Sequence, residues 1–241
     1  MVPAKAEPPA KPEAPLVQRA GELARGRVLV ANPEKFFSNN ILSEPVRDLN
    51  RFKLRGPLDE RYSPDQYANF LPCILLVDYE KGKPSRGVLM ERRTGALMGD
   101  LGSDYGCVAI SPLWEGGQEM RNSLTIVHNV DDMPSADKLG DEGLYTGGWK
   151  EAAPRLSNSS LAEGRFKFYL GSTVWRPGQL DEEVGNGAWF VLKVDPEIFL
   201  KDRILGWQPG RRKPIWRDLM KEVKGDEEVS QVFSKVYPEA L

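Results

Sequence analysis

Residues 171–192, GSTVWRPGQLDEEVGNGAWFVL, restrict the possible folds more than any other part of the chain. The stretch holds two tryptophans, four glycines, a proline and three consecutive acids. Its pattern predicts a strand from Arg165, ending at Gly171-Ser172, then a turn and a short helix. Pro177 suits the first helical turn, where a missing N–H costs nothing. Gln179, Asp181 and Glu182 fall early in that helix, where negative charge is favoured. Gly185–Gly187 stop it with residues that accept positive φ, and AWFVLKV starts the next strand. The competing reading gives Asp181, Glu182 and Glu183 to a metal or to acid–base chemistry. Consecutive helix positions point about 100° apart, so the triplet does not converge, and no His or Cys lies nearby. The stretch reads as architecture.

The 241 residues fit one large domain or two small ones. With 33 Lys and Arg against 35 Asp and Glu, the net charge of −2 is no footprint for nucleic acid. The longest apolar run, ILLV at 74–77, is strand-sized and far short of the roughly 20 residues of a membrane helix. Two cysteines, Cys73 and Cys107, sit in apolar sequence and read as buried hydrophobes in a reducing compartment. Residues 1–16 hold five prolines and no aromatic, which predicts a disordered Pro/Ala-rich tail ahead of a domain over 17–241. That tail has no apolar core of a secretory signal.

Along the chain, VQRAGELARG predicts a short helix to Gly26, and RVLVAN a strand. Residues 38–69, broken by Pro45, Pro57 and Pro64, predict a long irregular insertion with a single helical turn. CILLVDY and SRGVLMER predict a hairpin. GCVAISPLWEGG, NSLTIVHNV and DEGLYTGGW predict further strands. LWEGG and LYTGG repeat one phrase 31 residues apart, as two strand ends of one sheet. RFKF alternates charged and apolar residues, as a half-exposed strand does. Asp195-Pro196 opens a helix, PIWRDLMKEV is amphipathic, and EEVSQVFSKV forms a last helix. Without a regular βαβ beat, the class is α+β.

No catalytic constellation emerges. GSDYG at 102–106 lacks the nucleophile-elbow spacing of a serine hydrolase. The single histidine, His128, lies in an apolar strand and reads as structural; a Cys107–His128 dyad is the reactive alternative. No metal-ligand spacing and no phosphate-binding loop is present. Hence no catalytic, cofactor-binding or metal residue is assigned, and no cofactor. The basic run RRKPIWR (211–217), with Lys201, Arg203, Lys221, Trp207 and Trp216, reads as a solvated turn before a helix. Its alternative is a positive docking face for an acidic partner or RNA.

At 171–192 the chain resembles the YqgE/AlgH family, whose phrase Gly-x-x-x-Trp-x-Pro-Gly-Gln-Leu-x-x-Glu precedes an Ala-Trp strand. Gly171, Trp175, Pro177, Gly178, Gln179, Leu180, Glu183 and Trp189 match it. GRVLVANP, GVLMERRTG, LWEGG, LTIVHN and LYTGG are similar to its other blocks, in the same order, over roughly 26–225. Three departures stand out: Glu91 and Thr94 in place of the usual Asn and Pro, the longer 38–69 segment, and the tail. The resemblance implies a single α+β domain with a bifurcated mixed sheet, partly closed into a small barrel and surrounded by helices. The tail and insertion suit the algal and plant branch, hence a chloroplast location, with cytoplasm as the alternative. The expected function is non-enzymatic: protein–protein contacts, as an accessory or regulatory subunit of a plastid complex. The alternatives are a small-ligand binder or enzyme using the Gly-Gly turns and His128, and a transcription-related regulator. No helix-turn-helix pattern supports the last.

Overall fold

One strand is shared by two branches of the sheet, and the rest of the chain is arranged around it. The computed structural model describes residues 16–36, 61–200 and 214–240. In chain order its elements are β1 (Val17–Arg19), β2 (Val28–Ala31), α1 (Pro33–Phe36), α2 (Pro64–Phe70), β3 (Cys73–Asp78), β4 (Ser85–Leu89), β5 (Arg93–Leu97), β6 (Pro112–Glu115), β7 (Glu119–His128), β8 (Ala136–Leu139) and β9 (Leu144–Gly147). There follow α3 (Trp149–Ser157), β10 (Phe166–Trp175), α4 (Gln179–Gly185), β11 (Trp189–Val194), α5 (Pro196–Leu200), α6 (Ile215–Glu222) and α7 (Glu227–Val236). The strands form one mixed sheet in the order β1-β11-β2-β3-β4-β10-β7-β9-β8, with the β5-β6 pair joined to β10.

The branch point is β10. Phe168–Leu170 lies between β6, running parallel, and β7, running antiparallel. Beyond a register shift at Gly171, Thr173–Trp175 pairs with β4. The crossing is made by glycines. Gly116 donates its N–H to Leu170 O (2.8 Å) and its carbonyl accepts from Leu89 N (3.0 Å), so one residue links β10 and β4 where they separate. A Cβ on Gly116 would lie 2.3 Å from Gly171 O, and one on Gly117 2.1 Å from Ser172 C. Where β7 leaves β10, a carboxylate replaces the ladder: Glu119 Oε2 accepts the Val174 N–H at 3.0 Å. LWEGG thus marks a place where only bare backbone fits. LYTGG ends β9 in the same branch, with Gly147 and Gly148 both at positive φ.

The result is one α+β domain with a bifurcated sheet. Strand order is open: no pairing joins β1 to β8. The partial barrel closure implied by the family resemblance is therefore not made. The larger core joins β1–β4 and β11 to α4, α6 and α7; the smaller lies under β7, β10 and α3.

Several local expectations are corrected. Residues 17–26 are not a helix: Val17–Arg19 adds antiparallel to β11, and cross-strand pairing outweighs weak helical propensity. Pro64 starts a helix, because Ser63 and Gln66 close a reciprocal capping box around it. Within 106–111 the chain makes 3₁₀ turns, and the strand begins at Pro112. β10 runs through Gly171 to Trp175. Lys167 is not on an exposed face: it is 4% exposed, its ammonium 4.6 Å from the Trp114 ring centre and 5.0 Å from that of Phe199. The expected tail over 1–15 and the insertion over 38–60 lie outside the described residues.

The crossing gives a direct test. Gly117→Ala is expected to destabilise the protein by about 3 kcal/mol or more in urea unfolding, since backbone cannot move aside. Gly164→Ala, which meets nothing within 4 Å, is expected to stay within about 0.5 kcal/mol of wild type.

Candidate functional site

Helix α4 turns the chain between β10 and β11, and its three acids go three ways. Gly178 takes a left-handed conformation (φ 78°) at the N-cap. Pro177 therefore sits before the cap, not inside the first turn. Gln179 steadies the entry by accepting the Arg176 N–H at 2.7 Å. Gly187 (φ 76°) follows the C-cap Asn186. Glu182 is exposed. Asp181 accepts the Tyr79 hydroxyl at 2.9 Å. Burial first, then this bond, pushes the Tyr79 phenol up to about 12, so it stays a donor at neutral pH.

Glu183 is fully buried. Its Oε2 accepts the indole N–H of Trp175 at 2.9 Å and that of Trp189 at 2.8 Å. Trp175 ends β10 and Trp189 begins β11, so one carboxylate oxygen ties two strand ends across the α4 turn. An indole N–H only donates, and a buried one without an acceptor is costly. The acid of the phrase is set by its two tryptophans.

What α4 leaves uncovered faces a cleft of about 600 Å³. Asp181, Val184 and Gly187 form one wall, Gly21 to Leu23 face them, and Tyr79 and Lys81 close the rim. Arg19 holds one end, at 3.3 Å from both Asp226 and Glu228, with its guanidinium 4.7 Å from the Phe190 ring centre. The site mixes apolar side chains (Leu23, Val184, Phe190) with charged ones of both signs (Arg19, Lys81, Asp181, Glu228). Sequence reasoning missed it because its far wall, 20–23, was assigned to a helix.

The other candidates are placed elsewhere. His128 is fully buried between Tyr145 and Phe166, ring centres 5.8 and 5.2 Å away. Its Nδ1 accepts the Val130 N–H at 3.2 Å. Nε2 therefore carries the proton; the Gly147 backbone lies beside it, yet no acceptor closes a bond of normal geometry. Desolvation dominates and lowers the imidazole to about 4. With Nδ1 committed and Nε2 protonated, His128 has no free lone pair for Cys107, which packs in the smaller core. Cys73 is buried, and burial raises its thiol well above the ordinary value. Thr94 donates to Leu113 O at 2.8 Å and caps Ala96 N, while Glu91 and Arg92 border a cavity of only about 40 Å³. Of the basic run, Trp216 is buried with its N–H on Ala31 O at 2.8 Å, so it is no surface ring. Lys201, Arg203, Trp207 and 211–213 lie outside the described residues. Among the described residues no group of three His, Cys, Asp or Glu is placed to hold a metal, and no helix is long and apolar enough to cross a membrane.

The profile of the AlgH-like family matches residues 68–228. The chain belongs to the AlgH-like family. A UPF0301 protein of Parabacteroides distasonis is 25% identical over 155 residues, covering 60% of this chain and 77% of the relative. UPF0301 protein SCO2948 of Streptomyces coelicolor is 28% identical over 163 residues, covering 64% and 77%. Protein DIP2367 of Corynebacterium diphtheriae shares the fold, with a TM-score of 0.56, 20% identity and coverage of 88% and 92%. The matched region of this AlgH-like chain contains the whole α4 corner.

The buried histidine makes a signed prediction. Its folded-state value lies below the ordinary 6.5, so its contribution is complete above pH 6.5 and is lost as pH falls towards about 4. Between pH 7 and 4.5 the wild type is expected to lose roughly 2–3 kcal/mol more than His128→Asn, measured by urea unfolding.

Proposed function

We propose that this AlgH-like protein works by contact with a partner protein and not by catalysis, as an accessory or regulatory subunit of a plastid assembly. The observation that carries the reading is the fate of the family phrase. Its glutamate braces two buried indoles, its glycines shape a turn, and its remaining face lines an open cleft. Asp181 is held by Tyr79 and Glu183 is out of reach of solvent, so neither is poised to exchange protons with a substrate. A partner segment entering the cleft would meet preformed walls and donors and acceptors of both signs. The Pro/Ala-rich composition of residues 1–16 and the longer 38–69 segment support the plastid location.

A second reading is favoured by one observation: the cleft volume falls within the range of small-molecule sites. There the chain would sense or carry a small polar ligand, without His128 or the Gly-Gly turns, which the fold uses internally.

Val184→Arg separates these from a purely structural corner. Val184 is half-buried at the cleft wall, so the long side chain can fill the cleft at a stability change within about 1 kcal/mol. On native gels of chloroplast extract, the wild type is expected to migrate with a larger complex and the variant as a free chain. Migration of the wild type as a free chain contradicts the proposal. Loss of a metabolite-induced rise in Tm in the variant, with no complex in either, would favour the small-ligand reading.

A further inference from the structure

A second cavity, of about 370 Å³, shares residues 20–22 with the cleft as a wall. Arg27 and Lys193 line it together with Glu22. The register of the sheet sets the two cations against each other. Val28 of β2 pairs with Leu192 of β11, and one step further along the same antiparallel ladder Arg27 meets Lys193. Both line one cavity, so both lie on one face of the sheet. Like charges directly opposite on a sheet are destabilising, and an anion between them reverses that cost.

Arg27 is the buried member, only 7% exposed. A guanidinium carries five N–H donors. Among the described residues one of them is used: Nη1 donates to Glu142 Oε1 at 2.6 Å. The other oxygen of Glu142 is turned to the Asp141 N–H at 3.0 Å, so the pair is single-pronged. Arg27 Nε is buried with no acceptor. A buried charged donor left unmet is costly, and a planar fork with open prongs matches the oxygens of a phosphoryl or carboxylate group.

Lys193 is exposed and, among the described residues, has no ion-pair partner. Glu22 is exposed as well and bonds to neither cation. It is the one acid in the lining and opposes an anion there, so its removal has a definite sign. A phosphoryl group offers three acceptor oxygens and up to two charges. That serves a fork and an ammonium together better than a carboxylate does.

We infer that this cavity binds the phosphoryl group of a small molecule, held by the open prongs of Arg27 and the ammonium of Lys193. Its volume is that of a small-molecule site. It is separate from the partner contact proposed for the cleft, and neither depends on the other.

Titration calorimetry of the full chain with inorganic phosphate tests it, at neutral pH and with ionic strength held constant by sodium chloride. The wild type is expected to bind one phosphate saturably. Lys193→Gln is expected to weaken binding about tenfold or more with the ligand-free Tm unchanged, and Glu22→Gln to tighten it. Lys81→Gln, on the rim of the cleft, is expected to change nothing, and acetate to bind the wild type about tenfold more weakly than phosphate. No saturable binding up to about 10 mM phosphate overturns the inference, as does binding unchanged in Lys193→Gln or lost in Lys81→Gln. Acetate binding as tightly as phosphate overturns the phosphoryl assignment.

Discussion

A single carboxylate oxygen accepts two indole N–H groups in the interior of this protein, and the α4 corner depends on that arrangement. Trp175 and Trp189 are large, flat and fully buried. Each brings a donor that must be met inside. Glu183 meets both at 2.8–2.9 Å, which fixes the distance between the end of β10 and the start of β11. The short helix between them is then a spacer. It needs a left-handed glycine on each side, one buried acid and the buried Leu180, while Asp181, Val184 and Gly185 face the cleft. The Phe36 ring packs edge-on to Trp189 at 5.3 Å, carrying the same brace towards α1.

The branch point of the sheet obeys a related constraint. Two strands can share β10 only if a third segment crosses it at backbone distance. Gly116, Gly117 and Gly171 allow that crossing, and Glu119 supplies the acceptor that the diverging strand cannot. Trp175 and Gly171 lie four residues apart on β10, and Gly116 and Gly117 cross at Gly171 and Ser172, so the family phrase and the LWEGG block serve one junction.

Much of this was legible in the sequence, for physical reasons. Apolar runs gave β2, β3 and β7, and their partners followed from turn residues. Helices α6 and α7 carried clear stripes, and Asp226 caps the latter through the Val229 N–H. The strand–turn–helix–glycine–strand order of 171–192 was readable because each unusual residue has a backbone role. What escaped notice had no apolar signal. β5 and β8 are mostly exposed edges. α3 contains Pro154 and few apolar positions. β1 is defined only by its distant partner β11. The divergence of Asp181 and Glu183 was predictable from helix geometry, whereas the partners were not. Tyr79 lies 102 residues from Asp181, and no local pattern announces such a contact.

Function follows from how the polar groups are used. The residues that a search for chemistry would pick out are committed to the fold: Glu183 to the indoles, His128 to Val130, the Gly-Gly pairs to backbone packing and chain reversal. The charged cleft beside α4 is left over from these tasks, and the proposed partner contact rests on it. The indole brace is the centre of this account, and urea unfolding of two Glu183 variants tests it most directly. Glu183→Ala strands two buried donors and opens a cavity, so a loss of about 3–5 kcal/mol is expected. Glu183→Gln, whose amide oxygen can still accept, is expected to keep most of that stability. If Glu183→Ala unfolds within about 1 kcal/mol of wild type, the carboxylate does not hold the corner together, and its place in the family phrase needs another explanation.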